Sequence, residues 1–157
     1  MKYKSTFILL CLVSLLSACS GSGIKPYSSD LKHNIQVKTK TSTASYFSSI
    51  KARLDIYQVD KGCKVIYQGS VKLDKPVVNT GIPQARNNYL VFNFASSSFL
   101  GGSSSISYDT LLKTRKGYSY DIEVSYADNI YNVELFERGK KKSARRAIEI
   151  KELDNCR

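Results

Sequence analysis

Apolar and polar residues alternate with a period of two along most of this chain, and this alternation limits the folds that it can adopt. Every second residue is apolar over residues 50–56, and a similar pattern recurs over 35–41, 118–126 and 131–135. A period of two places alternate side chains on opposite faces of a β-strand, whereas an amphipathic helix repeats every 3.6 residues. Since no segment shows a sustained helical period, the chain is predicted to be all-β.

Turn residues between these runs predict hairpins. Asp60-Lys61-Gly62 separates the run over 50–56 from a second alternating run that begins at Cys63. Asp128-Asn129 separates the runs over 118–126 and 131–135 in the same way. Two alternating runs joined by a short turn of this composition are typical of two antiparallel strands.

The remaining segments are less regular. Residues 89–95 are apolar on both parities, which predicts a strand that is buried on both faces. Residues 75–88 contain proline and glycine and are predicted to be mostly loop, and the serine- and glycine-rich residues 96–107 are predicted to be a low-complexity loop. Helix is expected only in short pieces, around 109–114.

Seven or eight short strands with turns between them predict a small antiparallel β-sandwich of the immunoglobulin-like (Ig) or transthyretin-like kind. A small β-barrel is the alternative. The chain has 157 residues, of which 42% are hydrophobic, so a substantial core is available to it.

The first eighteen residues predict an export signal. Two lysines precede a ten-residue apolar stretch over residues 7–16, and two small residues, Ser17 and Ala18, follow it. Ten residues are too few to span a bilayer, which takes about 20. They fit the apolar region of a secretory signal, which has about 7–15 residues.

The residues Leu16-Ser17-Ala18-Cys19 at the end of this signal resemble the bacterial lipobox, Leu-(Ala/Ser)-(Gly/Ala)-Cys, at every position. The resemblance implies a bacterial lipoprotein, in which a diacylglycerol is attached to the Cys19 thiol, the signal is cut before Cys19 and the new amine is acylated. Two or more acyl chains anchor a protein stably. Ser20 stands where Asp would retain the protein in the inner membrane, which implies the outer membrane of a Gram-negative host. A plain signal peptide followed by a chance cysteine is the alternative.

These boundaries divide the chain into three parts. Residues 1–18 are the predicted signal peptide, residues 19–34 the lipidated cysteine with a flexible tether, and residues 35–157 a single β domain. A flexible tether of this length spans about 20 Å root-mean-square. The domain is therefore expected to lie close to its membrane.

Two cysteines remain for the folded domain. Cys11 is removed with the signal and Cys19 carries the lipid, which leaves Cys63 and Cys156 in an oxidising compartment. We expect these two to form a disulfide that ties the C-terminus to the interior of the chain. The single histidine, His33, lies in the tether, so neither a metal site nor any cofactor beyond the lipid is expected.

The mature chain is strongly basic. Loss of residues 1–18 removes two lysines and no acids, which leaves 22 basic and 13 acidic residues and a net charge of +9. A basic tip is predicted either to contact an anionic partner, such as lipid headgroups, or to be a solvated hairpin turn. Its six residues are Arg138, Lys140, Lys141, Lys142, Arg145 and Arg146. Nucleic acid is not an expected partner, because the chain is predicted to be exported.

No set of residues predicts catalysis, so the chain is not expected to be an enzyme. The serine-rich segment lacks both the Gly-Lys-Ser/Thr ending of a phosphate loop and the Gly-x-Ser-x-Gly of a nucleophile elbow. Glu123 and Glu134 are candidates for an acid–base pair across two strands. Carboxylates on the exposed face of a strand are the more common explanation.

Two further features bear on partners. Phe99 and Leu100 lie amid serine and glycine and are predicted either to fold back onto the core or to form an exposed contact for a partner. Eleven tyrosines without a tryptophan favour half-buried packing on strands over a sugar-binding platform.

The expected function is therefore that of a membrane-anchored, periplasm-facing lipoprotein that binds another envelope component or supports an assembly. Its expected partner is another envelope protein or an anionic lipid. The alternative is a module that binds an anionic envelope lipid or polymer through the hairpin at 138–146. A third hypothesis, an inhibitor similar to those of lysozyme, ranks lower because a net charge of +9 would repel a cationic lysozyme.

Overall fold

The chain forms nine β-strands in a computed structural model that describes residues 23–41, 48–98, 102–127, 130–139 and 144–156. No α-helix occurs in these ranges, and a 3-10 helix lies at Leu153–Cys156. The strands are β1 (Ile35–Thr41), β2 (Ser48–Val59), β3 (Val65–Lys72), β4 (Val77–Thr80), β5 (Asn87–Ser98), β6 (Gly102–Lys113), β7 (Ser119–Ala127), β8 (Ile130–Arg138) and β9 (Arg146–Ile148).

The strands form two sheets that pack into a sandwich. One sheet has five strands in the order β4-β1-β7-β8-β9, and the other has four in the order β3-β2-β5-β6. Neither sheet closes on itself, so the barrel alternative is wrong and the sandwich prediction is confirmed. One pair departs from the predicted antiparallel pattern, because β1 runs parallel to β7.

The core lies between the sheets and is built from the alternating residues that the sequence indicates. The largest fully buried side chains include those of Leu54, Ile56, Phe92, Tyr120 and Ile122, which come from both sheets. Side chains one position away point outward, as a period of two requires.

The central strand β5 is buried on one face only, contrary to the prediction for residues 89–95. Leu90, Phe92 and Phe94 face the core, whereas Tyr89 and Val91 are half-buried on the outer face of the sheet. Odd- and even-numbered residues of this segment are both apolar because the outer surface of the sheet is itself partly apolar, and not because a second core covers that face.

The hairpin predicted at residues 60–62 is confirmed. Asp60 Oδ1 accepts hydrogen bonds from the backbone N–H groups of Gly62, at 2.8 Å, and Lys64, at 2.9 Å. Strands β2 and β3 leave this turn and pair antiparallel, with a register shift between Ile56 and Tyr57. Strands β7 and β8 likewise pair antiparallel along their length, as predicted, while the predicted turn residues Asp128 and Asn129 lie outside the described residues.

Two irregular segments were interpreted wrongly from the sequence. The serine-rich segment predicted as a loop contributes residues 96–98 to β5 and residues 102–107 to β6. The short helix expected around 109–114 is the end of β6. The prediction that 75–88 is mostly loop is correct, although the segment also contains the four-residue strand β4 and the start of β5. Pairing with neighbouring strands determines these conformations, and local composition does not reveal it.

Part of the predicted tether belongs to the folded domain. Tyr27 donates its backbone N–H to the Ser70 carbonyl at 2.8 Å and its hydroxyl to the Gly81 carbonyl at 2.7 Å. The side chain of Asn34 is buried and forms two hydrogen bonds with the backbone of Ile82. The boundary predicted at residue 34 is therefore too late, because the segment from Lys25 onward closes the edge of the sandwich at β3 and β4.

Candidate functional site

Several residues predicted to be functional lie outside the described ranges. They are the lipidation residue Cys19, the partner-contact residues Phe99 and Leu100, and the three lysines of the basic tip, Lys140, Lys141 and Lys142. The predictions for these residues stay predictions.

Cys63 lies in the turn between β2 and β3, with a backbone φ of 61°, and it is disulfide-bonded. The backbone of Cys156 is in the 3-10 helix that ends the described chain, but its side chain lies outside the described part. That Cys156 is the partner of Cys63 therefore stays a prediction.

The described arginines of the basic tip each form an ion pair with a carboxylate. Arg138 pairs with Asp121, and Arg145 pairs with Glu123 while its guanidinium lies 4.0 Å from the ring centre of Phe136. Arg146 pairs with Glu137. The carboxylates come from β7 and β8, so strand pairing brings together groups that the local sequence does not.

Glu123 and Glu134 lie directly opposite each other on β7 and β8, as an acid–base pair would require. The hydrogen bond from Arg145 is the main reason that the pKa of Glu123 is lowered, and the charges of Lys38 and Lys40 add to this effect. Glu123 is therefore a carboxylate at neutral pH and is a poor proton donor.

The outer face of the four-stranded sheet carries a tyrosine row, which we define as Tyr67, Tyr57 and Tyr89. These residues come from β3, β2 and β5 and lie side by side across the sheet. The ring centres of Tyr57 and Tyr67 are 5.2 Å apart and those of Tyr57 and Tyr89 are 5.9 Å apart. All three are partly exposed, so the row forms an aromatic strip open to solvent.

A buried carboxylate lies beside the tyrosine row. Asp55 accepts hydrogen bonds from Ser70 Oγ, from Asn93 Nδ2 at 2.8 Å and from Arg53 Nη2 at 3.0 Å. The hydroxyl of Tyr67 lies 2.6 Å from Ser70 Oγ, which links the row to this network. Because Asp55 is satisfied by partners from the same sheet, its contribution is to fix the row in place.

The hydroxyl of Tyr89 donates a 2.7 Å hydrogen bond to Asp109 Oδ2 on β6. Burial, followed by this hydrogen bond and the carboxylate charge, raises the pKa of Tyr89 to about 12. The pKa of Tyr57 is also raised, chiefly by burial and then by the charge of Asp55. Tyr57 and Tyr89 therefore stay neutral at physiological pH and can offer ring surface and hydroxyl groups to a ligand, but no charge.

The tyrosine row begins where the N-terminal segment joins the domain. The Tyr67 hydroxyl lies 3.4 Å from the carbonyl oxygen of Lys25, and that carbonyl accepts a 2.9 Å hydrogen bond from the backbone N–H of Ser70. This relationship could not be predicted from the sequence, because it depends on strand register and on the docking of residues 25–27.

Within the described ranges, no three His, Cys, Asp or Glu side chains are grouped so that they would hold a metal ion. In the same ranges, no helix is both long enough and apolar enough to cross a membrane. Comparison of the chain with models of protein families and with curated proteins gives no match.

Proposed function

We propose that this protein is an exported lipoprotein that is held on a bacterial envelope membrane through Cys19 and serves as a non-catalytic binding module. The observation that carries the proposal is the lipobox-like sequence Leu16-Ser17-Ala18-Cys19, placed directly after a ten-residue apolar stretch. A sandwich domain with a net positive charge follows it, in keeping with a module that binds other envelope components.

The short distance along the chain between Cys19 and the domain supports a defined orientation on the membrane. Lys25 follows Cys19 by six positions, and six residues span at most about 20 Å when fully extended. Since Lys25 is bonded to β3, the lipid would hold the β3 edge of the sandwich near the bilayer.

The tyrosine row suits this position. Tyrosine has an apolar ring and a polar hydroxyl, and it is enriched where proteins meet the interface between membrane and water. Tyr67 is 38% exposed, and its neighbour Ile66 is 45% exposed on the same edge strand. We assign the β3 edge, where the tyrosine row begins at Tyr67, to the side of the domain that faces the anchoring membrane.

Lipidation is tested by expressing the full chain in a bacterium with an alkyne-bearing palmitate analogue. The wild type and a Cys11→Ser variant should both be labelled and should fractionate with membranes, because Cys11 lies within the signal. Cys19→Ser should lose both the label and membrane retention. An unlabelled wild type, or equal labelling of Cys19→Ser, would reject the proposal.

The orientation is tested with tryptophan fluorescence, since the chain contains no tryptophan. Tyr67→Trp and, as a matched control, Ile150→Trp each introduce a single fluorophore at an exposed apolar site. In vesicles with brominated phospholipids, the lipidated Tyr67→Trp protein should be quenched more strongly than Ile150→Trp. Equal or reversed quenching would show that the β3 edge does not face the bilayer.

Binding of anionic lipid or polymer by the basic tip is a second proposal with weaker support. Arg138, Arg145 and Arg146 each pair with a different carboxylate, so these pairs do not gather the three arginines into one anion site. The remaining support is the run of three lysines in the sequence.

A further inference from the structure

A charged groove of about 530 Å³ lies at the edge of the sandwich that is opposite the N-terminal segment. The segment after β9 closes this edge, because the backbone N–H of Leu111 on β6 donates to the Lys151 carbonyl at 2.7 Å. We call this the Glu137 groove. Its ionisable lining residues are Lys113, Arg115, Glu137, Arg146, Glu149 and Lys151, which together carry a net charge of +2.

Glu137 occupies an unusual position in its strand. It continues the inward-facing series of Val133 and Leu135 on β8, where an apolar residue would be expected, and its side chain is only 8% exposed. A buried carboxylate is costly unless charged partners satisfy it. Two arginines supply those partners, since Arg115 Nη2 lies 3.0 Å from Glu137 Oε1 and Arg146 pairs with the same oxygen.

Glu137 holds the two arginines in place but does not occupy all of their hydrogen-bond donors. A guanidinium has five N–H donors, and each arginine directs one hydrogen bond to Glu137. Their side chains remain 48% and 71% exposed. The Arg115 guanidinium also lies 4.9 Å from the ring centre of Tyr118, which further restricts it.

We infer that the Glu137 groove binds a phosphate group carried by an envelope glycolipid or polymer. Two fixed guanidinium groups match the paired oxygens of a phosphate, and Lys113 and Lys151 add two point charges on the rim. Glu137 positions the arginines and does not itself contact the anion. A phosphate group would thus be the ligand of the binding module proposed above. Phosphate binding at the groove stands by itself, and only the origin of the phosphate in the envelope rests on the proposed function.

The position of the groove favours a ligand that is not a headgroup of the anchoring membrane. β6 and β3 are the two edges of one four-stranded sheet, so three strand spacings, or about 14 Å, separate them. With the β3 edge at the bilayer, the Glu137 groove would face away from it. A phosphate at the groove therefore approaches from the opposite side of the domain.

The site is tested by titrating the mature full-length protein with inorganic pyrophosphate, using calorimetry in a phosphate-free buffer. The wild type should bind, and Arg115→Gln and Arg146→Gln should each weaken binding at least tenfold. Arg146→Lys should recover part of the loss, because it keeps the charge without the planar donors. Arg138→Gln is the matched control, since Arg138 forms a comparable ion pair with Asp121 outside the groove.

Two results would overturn the inference: no pyrophosphate binding by the wild type, or equal weakening in Arg138→Gln and Arg146→Gln. Each variant is first checked by circular dichroism, and a misfolded Arg115→Gln is replaced by Lys113→Gln, for which the same loss is expected. The titration gives the same answer with or without lipid on Cys19, so failed lipidation and a failed groove are distinguishable.

A second arm identifies the source of the phosphate. Lipidated protein on phosphatidylcholine vesicles is mixed with fluorescent vesicles that contain phosphatidylglycerol. Bridging between the two populations that Arg146→Gln abolishes would support a phosphate on a facing surface. Bridging that persists in Arg146→Gln would overturn the assignment to this groove, whereas pyrophosphate binding without bridging supports a soluble phosphate-bearing polymer.

Discussion

Tyr27 crosses Gly69 so closely that no side chain fits between them. A Cβ atom on Gly69 would lie 2.7 Å from the Tyr27 Cα, and Gly69 has a φ of +147°, where residues other than glycine are strained. The docking of the N-terminal segment therefore depends on a glycine more than forty positions later in the chain. This docking also covers part of the edge strand β3, which would otherwise offer unpaired backbone groups to other chains.

Replacement of Gly69 by alanine should undock this segment. We expect Gly69→Ala to lower the free energy of unfolding by about 2–3 kcal/mol, because the new methyl group meets the backbone of Tyr27 and the φ is strained. Urea denaturation measures the loss, and limited chymotrypsin digestion should show faster cleavage after Tyr27, the residue that docks against Gly69. Gly62→Ala is the control, since its Cβ would meet only Asp60 Oδ1 at 3.4 Å. Equal stability of the two variants would contradict the close contact.

The predicted partner of Cys63 is tested by removing each cysteine. Cys63→Ser and Cys156→Ser should each lower the stability by up to about 4 kcal/mol, because the bond would close a loop of about ninety residues. In each variant, alkylation without reductant should label the remaining cysteine, whereas the wild-type domain should require reductant. If Cys156 is labelled in the unreduced wild type, Cys63 has another partner.

The hydrogen bond between Tyr89 and Asp109 should appear in alkaline titrations. Because the pKa of Tyr89 is raised from 10 to about 12 in the folded state, its neutral form contributes stability that is complete below pH 10. That contribution should be lost as the pH rises from 10 towards 12, and Tyr89→Phe should lack this component of the loss. Chemical denaturation at successive pH values measures the difference.

The cause of the Tyr89 shift is tested separately. Asp109→Asn removes the charge and weakens the hydrogen bond, so the pKa of Tyr89 should fall below 12 but stay above 10, because burial is the largest cause of the shift. Phenolate absorbance, read as the difference from a Tyr89→Phe background, reports this value. An unchanged pKa would mean that the carboxylate has no effect on the tyrosine.

The buried carboxylate beside the tyrosine row should be important for stability. Asp55→Ala leaves Ser70, Asn93 and Arg53 without their shared acceptor and should cost about 3 kcal/mol. Thermal and urea unfolding measure this cost. Asp74→Ala, at an exposed position, should change stability by less than about 0.5 kcal/mol. A small effect of Asp55→Ala would show that the network does not hold the row in place.

The strands with strict alternation could be predicted from the sequence with good accuracy. Leu54 and Ile56 on β2, and Tyr120 and Ile122 on β7, face the core as their period of two requires. The turn at 60–62 and the antiparallel pairing of β7 with β8 could also be predicted, since short polar turn residues between alternating runs carry a local signal.

The serine-rich segment could not be recognised as strand, because serine has little intrinsic preference for that conformation. Its strand structure comes from pairing, for instance where Ser96 Oγ and Ser104 Oγ meet at 2.7 Å across β5 and β6. The parallel pairing of β1 with β7 was missed for a similar reason, since no local pattern records which distant strand becomes a neighbour.

The candidate sites depend still more on distant parts of the chain. The tyrosine row requires the register shift between Ile56 and Tyr57, which brings Tyr57 opposite Tyr67. In the same way, Glu137 is separated from Arg115 by 22 positions, so the Glu137 groove has no motif in the sequence. The composition shows an excess of tyrosine and of basic residues, but only the register of the paired strands shows which of these side chains contact one another.

The place of β1 in the five-stranded sheet has a consequence for the order of folding. β1 lies between β4 and β7, and its longer pairing is with β7, which begins 78 residues after the end of β1 at Ser119. Because the chain is synthesised from its N-terminus, β1 has no β7 to pair with until most of the sequence has been made. Contacts of such long range slow folding and leave apolar strands open to aggregation in the meantime. The N-terminal half of the chain alone therefore lacks β7, the strand with which β1 forms its longer pairing.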